Sequence, residues 1–261
     1  MDILVIALAA LFASGLTLFS GFGLGTLLMP VVAIFFPIDI AVGITAVVHL
    51  ANNVFKLGLL GRGAHWPVVA RFGIPAVIAA FIGAWLLGSL SGAAPLADYS
   101  LAGIDATITP VKLVIGVLIL VFALLELSPR FAAMTFDMRW MPLAMPLGGV
   151  LSGFFGGLSG HQGAFRSMFL IKSGVSKEQF IATSVVLAVM VDVARLLIYG
   201  ADAVEARSEI DWVLVGVACV AAFVGAFLGA RLIGKMTLLT VQRLVAGMLV
   251  VVGAGLSSGM L

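Results

Sequence analysis

The chain has 261 residues, of which 62% are hydrophobic and 10% charged, with a formal net charge of +2 and a mean hydropathy of +1.25. A soluble domain carries about 25% charged residues, so composition excludes an ordinary soluble fold, and so small a net charge leaves no footprint for nucleic acid. Lone Cys219 excludes an internal disulfide.

Apolar runs near or above about 18 residues recur from end to end, which predicts an all-α, polytopic integral membrane protein. Backbone groups in lipid must be bonded within their own segment, so the runs are expected to be helices, and the alternation of a barrel strand is absent. The first run, 3–19, carries Asp2 and no Lys or Arg, and reads as mature protein rather than a signal peptide. Ser20-Gly21 separates it from the run 22–36. Next come 40–60, 67–90 and 110–127, with a Gly/Ala/Ser-rich connection at 89–109 that has no basic residue and is expected to be an external, partly ordered loop. Residues 128–140 read as a solvated connector. A second set follows: 141–158, 161–171, 178–200, 212–234 and 239–258, with Ser159-Gly160 between its first two members. The arms 22–36 and 161–171 are short. At about 1.5 Å per residue the shorter one covers roughly half of a 30 Å core. Each pair is therefore expected to be a broken-helix hairpin whose Ser-Gly tip lies inside the membrane, giving 8–10 membrane segments in all.

The two sets copy one another. Residues 18–57 lie opposite 157–196 without a gap, pairing Asp39 with Glu178, Thr45 with Ser184, Asn53 with Asp192 and Lys56 with Arg195. Two transmembrane repeats, 1–127 and 141–261, are predicted, joined by the cytoplasmic connector 128–140. A hairpin plus three helices crosses an odd number of times, so the repeats are expected to be inverted. Inversion gathers Arg62, Arg71, Arg130, Arg139, Lys172, Lys177, Arg231, Lys235 and Arg243 on one side. By the positive-inside rule, loops 58–66, 128–140, 172–178 and 235–240 are cytoplasmic and both termini face outside.

Chemistry is expected where polar groups remain inside the apolar runs. Thr45, His49, Asn52, Asn53 and Lys56 share one helical face, and Ser184, Asp192 and Arg195 share the equivalent face of the second copy. Structural roles compete with functional ones here. Lys56 and Arg195 can snorkel, Arg195 can pair locally with Asp192, and His49, Asn52 and Asn53 can bond between helices. At the tips, Gly21, Gly23 and Gly25 suit either close packing or close approach of a ligand. The second tip continues His161-Gln162-Gly163-Ala164-Phe165-Arg166, a set that packing alone does not explain. A helix N-terminus presents free N–H groups and partial positive charge, so each tip is suited to an anion. The candidate substrate site comprises Ser20, Gly21, Gly23, His49, Asn53, Ser159, Gly160, His161, Gln162, Arg166, Asp192 and Arg195. Asp192, His49 and His161 are the candidate proton carriers. Gly225/Gly229 and Gly83/Gly88 read as packing positions, and His65 beside Trp66 as an interfacial anchor. No metal-ligand cluster, activated nucleophile or cofactor motif appears, so neither a cofactor nor an enzyme is expected, and the pattern carries no sign of oligomeric state.

Over essentially its whole length the chain resembles the sulfite exporter TauE/SafE family of membrane transporters. The resemblance rests on SGFGLGTLLMP (20–30), IDIAVGITAVV (38–48) and GRGAHW (61–66), with the second-half echoes LSGHQGAFRSM (158–168), SKEQFIATSVV (176–186) and EIDW (209–212). It implies passage of sulfite, organosulfonates or other small sulfur-containing anions across a bacterial inner membrane. From the repeats themselves a secondary transporter is expected, one repeat rocking against the other to expose the site alternately, with protons coupled through Asp192, His49 or His161. In the usual family pattern the second hairpin is also glycine-rich and ends in proline. Here it reads GHQGAFRSMF, with Phe169 in the proline's place. Two alternatives stay open: an anion channel with the tips as its filter, and a carrier of a non-sulfur organic anion.

Overall fold

The computed structural model describes residues 2–20, 23–60, 63–101, 103–128, 141–170, 173–205, 211–232 and 238–261. These form ten helices and one β-hairpin: α1 (Asp2–Ser20), α2 (Leu24–Val32), α3 (Ile38–Leu60), α4 (Trp66–Ser91), β1 (Ala97–Leu101), β2 (Ile104–Ile108), α5 (Pro110–Leu127), α6 (Met141–Ser159), α7 (Gly163–Leu170), α8 (Lys177–Glu205), α9 (Trp212–Leu232) and α10 (Leu238–Ser257). Four spans among the described residues are long and apolar enough to cross a membrane: Ile38–Gly58, Trp66–Ser91, Lys177–Tyr199 and Trp212–Gly229. Their outward side chains are apolar, as lipid requires, and include Ile78, Trp85, Leu197 and Val220. The protein is an all-α membrane protein.

Local chemistry explains the helix starts. Thr109 caps α5 by accepting the Lys112 N–H, and Asp211 Oδ1 accepts the Val213 and Leu214 N–H groups at the start of α9. His65 does the same for α4: its Nδ1 accepts the Val68 N–H at 3.3 Å, and its own N–H donates to Thr183 Oγ1 on α8 at 2.9 Å. His65, expected as an interfacial anchor beside Trp66, is thus a helix cap tied to the other half of the chain. Trp66 is itself exposed.

The two tips break the helices as expected, and the arms beyond them are shorter than the apolar runs suggested. Nine residues form α2 and eight form α7. At the breaks, Gly23 has φ +84° and Gly160 φ +81°, a left-handed backbone that side chains other than glycine's resist.

The connection 89–109 differs from the expected loop. It contains β1 and β2, paired antiparallel from Ala97↔Ile108 to Leu101↔Ile104 around a two-residue turn that includes Gly103 at φ +82°. The hairpin seats on the C-terminus: Tyr99 donates its hydroxyl to the Ser258 carbonyl at 2.5 Å, and the Thr107 N–H donates to the Gly259 carbonyl at 3.2 Å.

Packing is reciprocal between the two halves. Helix α1 lies on α9 and α6 on α4, α3 touches α9 and α8 touches α4, while α3 meets α8 and α5 meets α10. Glycines permit the closest of these approaches. A Cβ on Gly149, Gly153 or Gly157 of α6 would overlap the carbonyls of Phe72, Ala76 and Ala80 on α4. Gly83 of α4 faces the Phe154 carbonyl of α6 in the same way, and Gly225 of α9 faces the Leu11 carbonyl of α1. With Gly229 against Gly15, these are small-residue faces that bring backbones together. One apolar core collects side chains of α1, α2, α3, α5, α9 and α10 together with Ala84 and Leu87 of α4, Leu158 of α6 and Tyr199 of α8, and a second collects others of α4, α6, α7 and α8.

Candidate functional site

Where α3 meets α8, a buried carboxylate takes five hydrogen bonds. Asp192 is fully buried, and its Oδ2 lies 2.6 Å from His49 Nδ1 and 3.1 Å from Asn53 Nδ2. Its Oδ1 accepts from Arg195 Nε at 3.1 Å, Arg195 Nη2 at 2.8 Å and Gln162 Nε2 at 3.1 Å. An ionised carboxylate only accepts, so His49 Nδ1 carries the proton in this contact. The 3.1 Å approach of Asn53 Nδ2 to that same nitrogen is then not a further bond. Helical spacing produces the cluster. His49 and Asn53 lie one turn apart on α3, and Asp192 and Arg195 lie three residues apart on α8, so two facing stripes meet.

Arg195 does not snorkel. It is fully buried, pairs locally with Asp192, and points its Nη1 toward the Gly156 carbonyl at 3.5 Å. Behind it Tyr199, on the next turn of α8, donates to the Gly157 carbonyl. Lys56, at the matching position of α3, is also buried.

Gln162 carries the cluster into the second tip. Its amide N–H₂ donates to Asp192 and its amide oxygen accepts from Arg166 Nη1 at 3.1 Å. The Ser152 hydroxyl of α6 holds the Gln162 backbone carbonyl at 2.9 Å. Arg166, buried on the first turn of α7, has no partner for its Nε. Buried polar groups are nearly always bonded, so this guanidinium N–H is a donor left open to a further partner. Thr45 and Ser184, paired by the repeat, are also buried with orphaned hydroxyls.

The two tips approach one another. A Cβ on Gly25, in the first turn of α2, would sit 3.4 Å from the Gly160 carbonyl. Gly23 stands under the His49 ring, where a Cβ would lie 3.2 Å from Nε2, and Gly160 stands under Arg195, where a Cβ would lie 3.0 Å from Nη1. No side chain caps the N-terminus of α2. Ser159 ends α6 with its hydroxyl on the Phe155 carbonyl. The backbone of Ser20 ends α1, while its side chain and Gly21 lie outside the described residues. His161 stands apart from the carboxylate cluster. Its Nδ1 contacts the Ser159 carbonyl and hydroxyl, each at 3.1 Å, and its ring stacks on Phe122 at 5.2 Å, with Nε2 unpartnered.

The arrangement is a buried, donor-rich junction between two half-helices, with guanidinium, amide, hydroxyl and helix N-terminal groups around it. The family model described as Sulfite exporter TauE/SafE matches residues 6–256. The chain belongs to that family. Sulfite exporters of this kind are transporters rather than enzymes, and the membership makes this protein a membrane transporter of sulfite or related anions. Among curated proteins none matches the chain. Within this TauE/SafE chain, Ser152, Tyr199 and Phe122 hold site residues in place yet give no sequence signal of it. Serine, tyrosine and phenylalanine are ordinary in membrane helices, and what these three touch depends on how the helices cross.

Proposed function

We propose that the protein is a secondary transporter that holds a small sulfur-containing oxyanion between its two tips, 20–23 and 159–162. Arg166 supports this reading most. It is a buried guanidinium with an orphaned N–H, on the first turn of a half-helix, and the neighbouring carboxylate is already committed to Arg195. Arg166 and the N-terminal N–H groups of α7 bind the oxyanion, and Gln162 orients the guanidinium. Gly23, Ser159 and Gly160 form the backbone floor, and Ser20 and Gly21 are assigned to the same site from the sequence. His49, Asn53, Asp192 and Arg195 make the frame that joins α3 to α8, and His49 is its proton-exchanging member, with His161 a second histidine at the tip.

The packing supports a reading by alternating access. The backbone-level contacts bind α1 to α9 and α4 to α6, so the bodies that rock against each other are these mixed pairs rather than the two halves of the sequence. The repeats are inverted in the membrane of a bacterial cell, with both termini outside.

Thermal stabilisation of the purified protein by sulfite and thiosulfate tests the site. Arg166→Gln removes charge-assisted bonds and should weaken binding about ten- to hundredfold, with a smaller loss in Gln162→Ala. Unaltered affinity in Arg166→Gln would remove the arginine from the site.

A further inference from the structure

The packing exchanges the two copies. With α6 to α10 as the counterparts of α1 to α5, the contact α1–α9 becomes α6–α4 and α3–α9 becomes α8–α4, and all four are present. The contact α3–α8 becomes itself, so it lies on the axis of the exchange. There Asn53 Nδ2 donates to Asp192 Oδ2 at 3.1 Å, and the two residues are 139 apart, the spacing between the copies. The same oxygen takes His49 Nδ1 at 2.6 Å. His49 has no such counterpart: the matching residue of α8 is Ala188. Each helix is also fastened to its own body. Ser14 of α1 donates to Asn52 of α3 at 3.0 Å. Thr183 of α8 holds the His65 N–H at the start of α4, and Tyr199 of α8 donates to the Gly157 carbonyl of α6. Asp192 divides along the same line: Oδ1 is held from α7 and α8, and Oδ2 by α3. Between the described side chains of α3 and α8, the hydrogen bonds converge on Oδ2.

We infer that Asn53–Asp192 is the pivot of the transport movement, and that the His49–Asp192 bond is a latch holding one of its two access states. This rests on the reading of the halves as inverted repeats that rock as mixed pairs. When two copies trade shapes, a contact between matched positions turns into itself and survives in both states. A contact between unmatched positions turns into its mirror image. For His49 with Asp192 that image is Ala188 with Asn53, and a methyl group offers no hydrogen bond. The state described here therefore has a bond that the exchanged state lacks. A bond present in both states adds stability without choosing between them, whereas a bond present in one sets their ratio. His49 is thus a positioning residue, acting through Asp192 on which way the two bodies lean.

Spin labels on cysteines placed at Ser89 of α4 and Val213 of α9, both exposed, report the separation of the two bodies. Cys219→Ser keeps other labels out. Distance distributions are measured by pulsed electron resonance on the purified full-length protein, with and without sulfite as the probe. In His49→Ala the population ratio of the second distance to the first should rise about tenfold or more, the worth of one hydrogen bond to a charged group. His49→Asn returns an N–H near the Nδ1 position and should hold the ratio within about threefold of the unaltered protein. Asn53→Leu breaks the pivot in both states, so it should lower the unfolding temperature and leave the ratio within about twofold. An unchanged ratio in His49→Ala overturns the latch, and a shift in Asn53→Leu as large as that in His49→Ala overturns the pivot. If sulfite moves the ratio in the unaltered protein while His49→Ala does not, the rocking reading stands and this inference alone falls. A single distance in every sample, sulfite included, overturns both.

Discussion

Replacing Asp192 by asparagine keeps the shape of the side chain and removes its charge. The new amide keeps one acceptor oxygen and no charge. With its N–H₂ at the Oδ1 position it faces the donors of Gln162 and Arg195, and with its N–H₂ at the Oδ2 position the other His49 tautomer accepts from it while Arg195 keeps only a neutral oxygen. In either case Arg195, fully buried, loses its counter-charge and keeps only neutral acceptors such as the Gly156 carbonyl at 3.5 Å. Lost neutral hydrogen bonds would cost only about 1 kcal/mol each, whereas breaking a buried ion pair costs about 3–5 kcal/mol, so the stranded charge dominates. At about 2–4 °C per kcal/mol the unfolding midpoint should fall by roughly 6–20 °C. Far-UV circular dichroism of the detergent-solubilised protein, at one fixed scan rate, measures it. Asp192→Asn combined with Arg195→Met should lose less than the sum of the single variants, because the double variant strands no charge. A fall worth under about 1 kcal/mol in Asp192→Asn, the value of an exposed pair, would refute the reasoning.

Gly153→Ala should loosen α4 from α6, because the new methyl meets the Ala76 backbone carbonyl and cannot displace it. A loss of about 1–3 kcal/mol is expected by thermal unfolding, against no change for Gly216→Ala, which has open space. Gly160→Ala and Gly174→Ala both force alanine into a left-handed backbone, at about 1–2 kcal/mol each. Only the first also meets Arg195, so anion binding should weaken in Gly160→Ala alone, as read by ligand-induced stabilisation.

The membrane class and the broken helices were legible because each is written in local composition: long apolar runs cut by Ser-Gly. Asn53 and Asp192 occupy matched positions in the sequence comparison, and they meet because α3 and α8 cross at that point. The β-hairpin went unread because its Gly/Ala/Ser content suggested irregular chain, although Tyr99, Leu101, Ile104 and Ile108 supply strand-forming residues about a two-residue turn. In α6 glycine is so frequent that spacing alone does not single out Gly149, Gly153 and Gly157 as the contact face. His161 shows a different limit. A histidine at a half-helix N-terminus looks like a ligand donor, but its ring direction is set by Phe122 of α5, a residue far away in sequence.

The pairing of α1 with α9 also shapes how the chain is made. Helix α1 leaves the ribosome well before its partner, which begins only at Trp212. At about 5–20 residues per second, roughly ten to forty seconds of synthesis separate the two. Through that interval the Gly15 face of α1 waits in the bilayer without the backbone it is shaped to meet. Closure of this pair is therefore late: the last fifth of the chain supplies the backbone that α1 is shaped to meet.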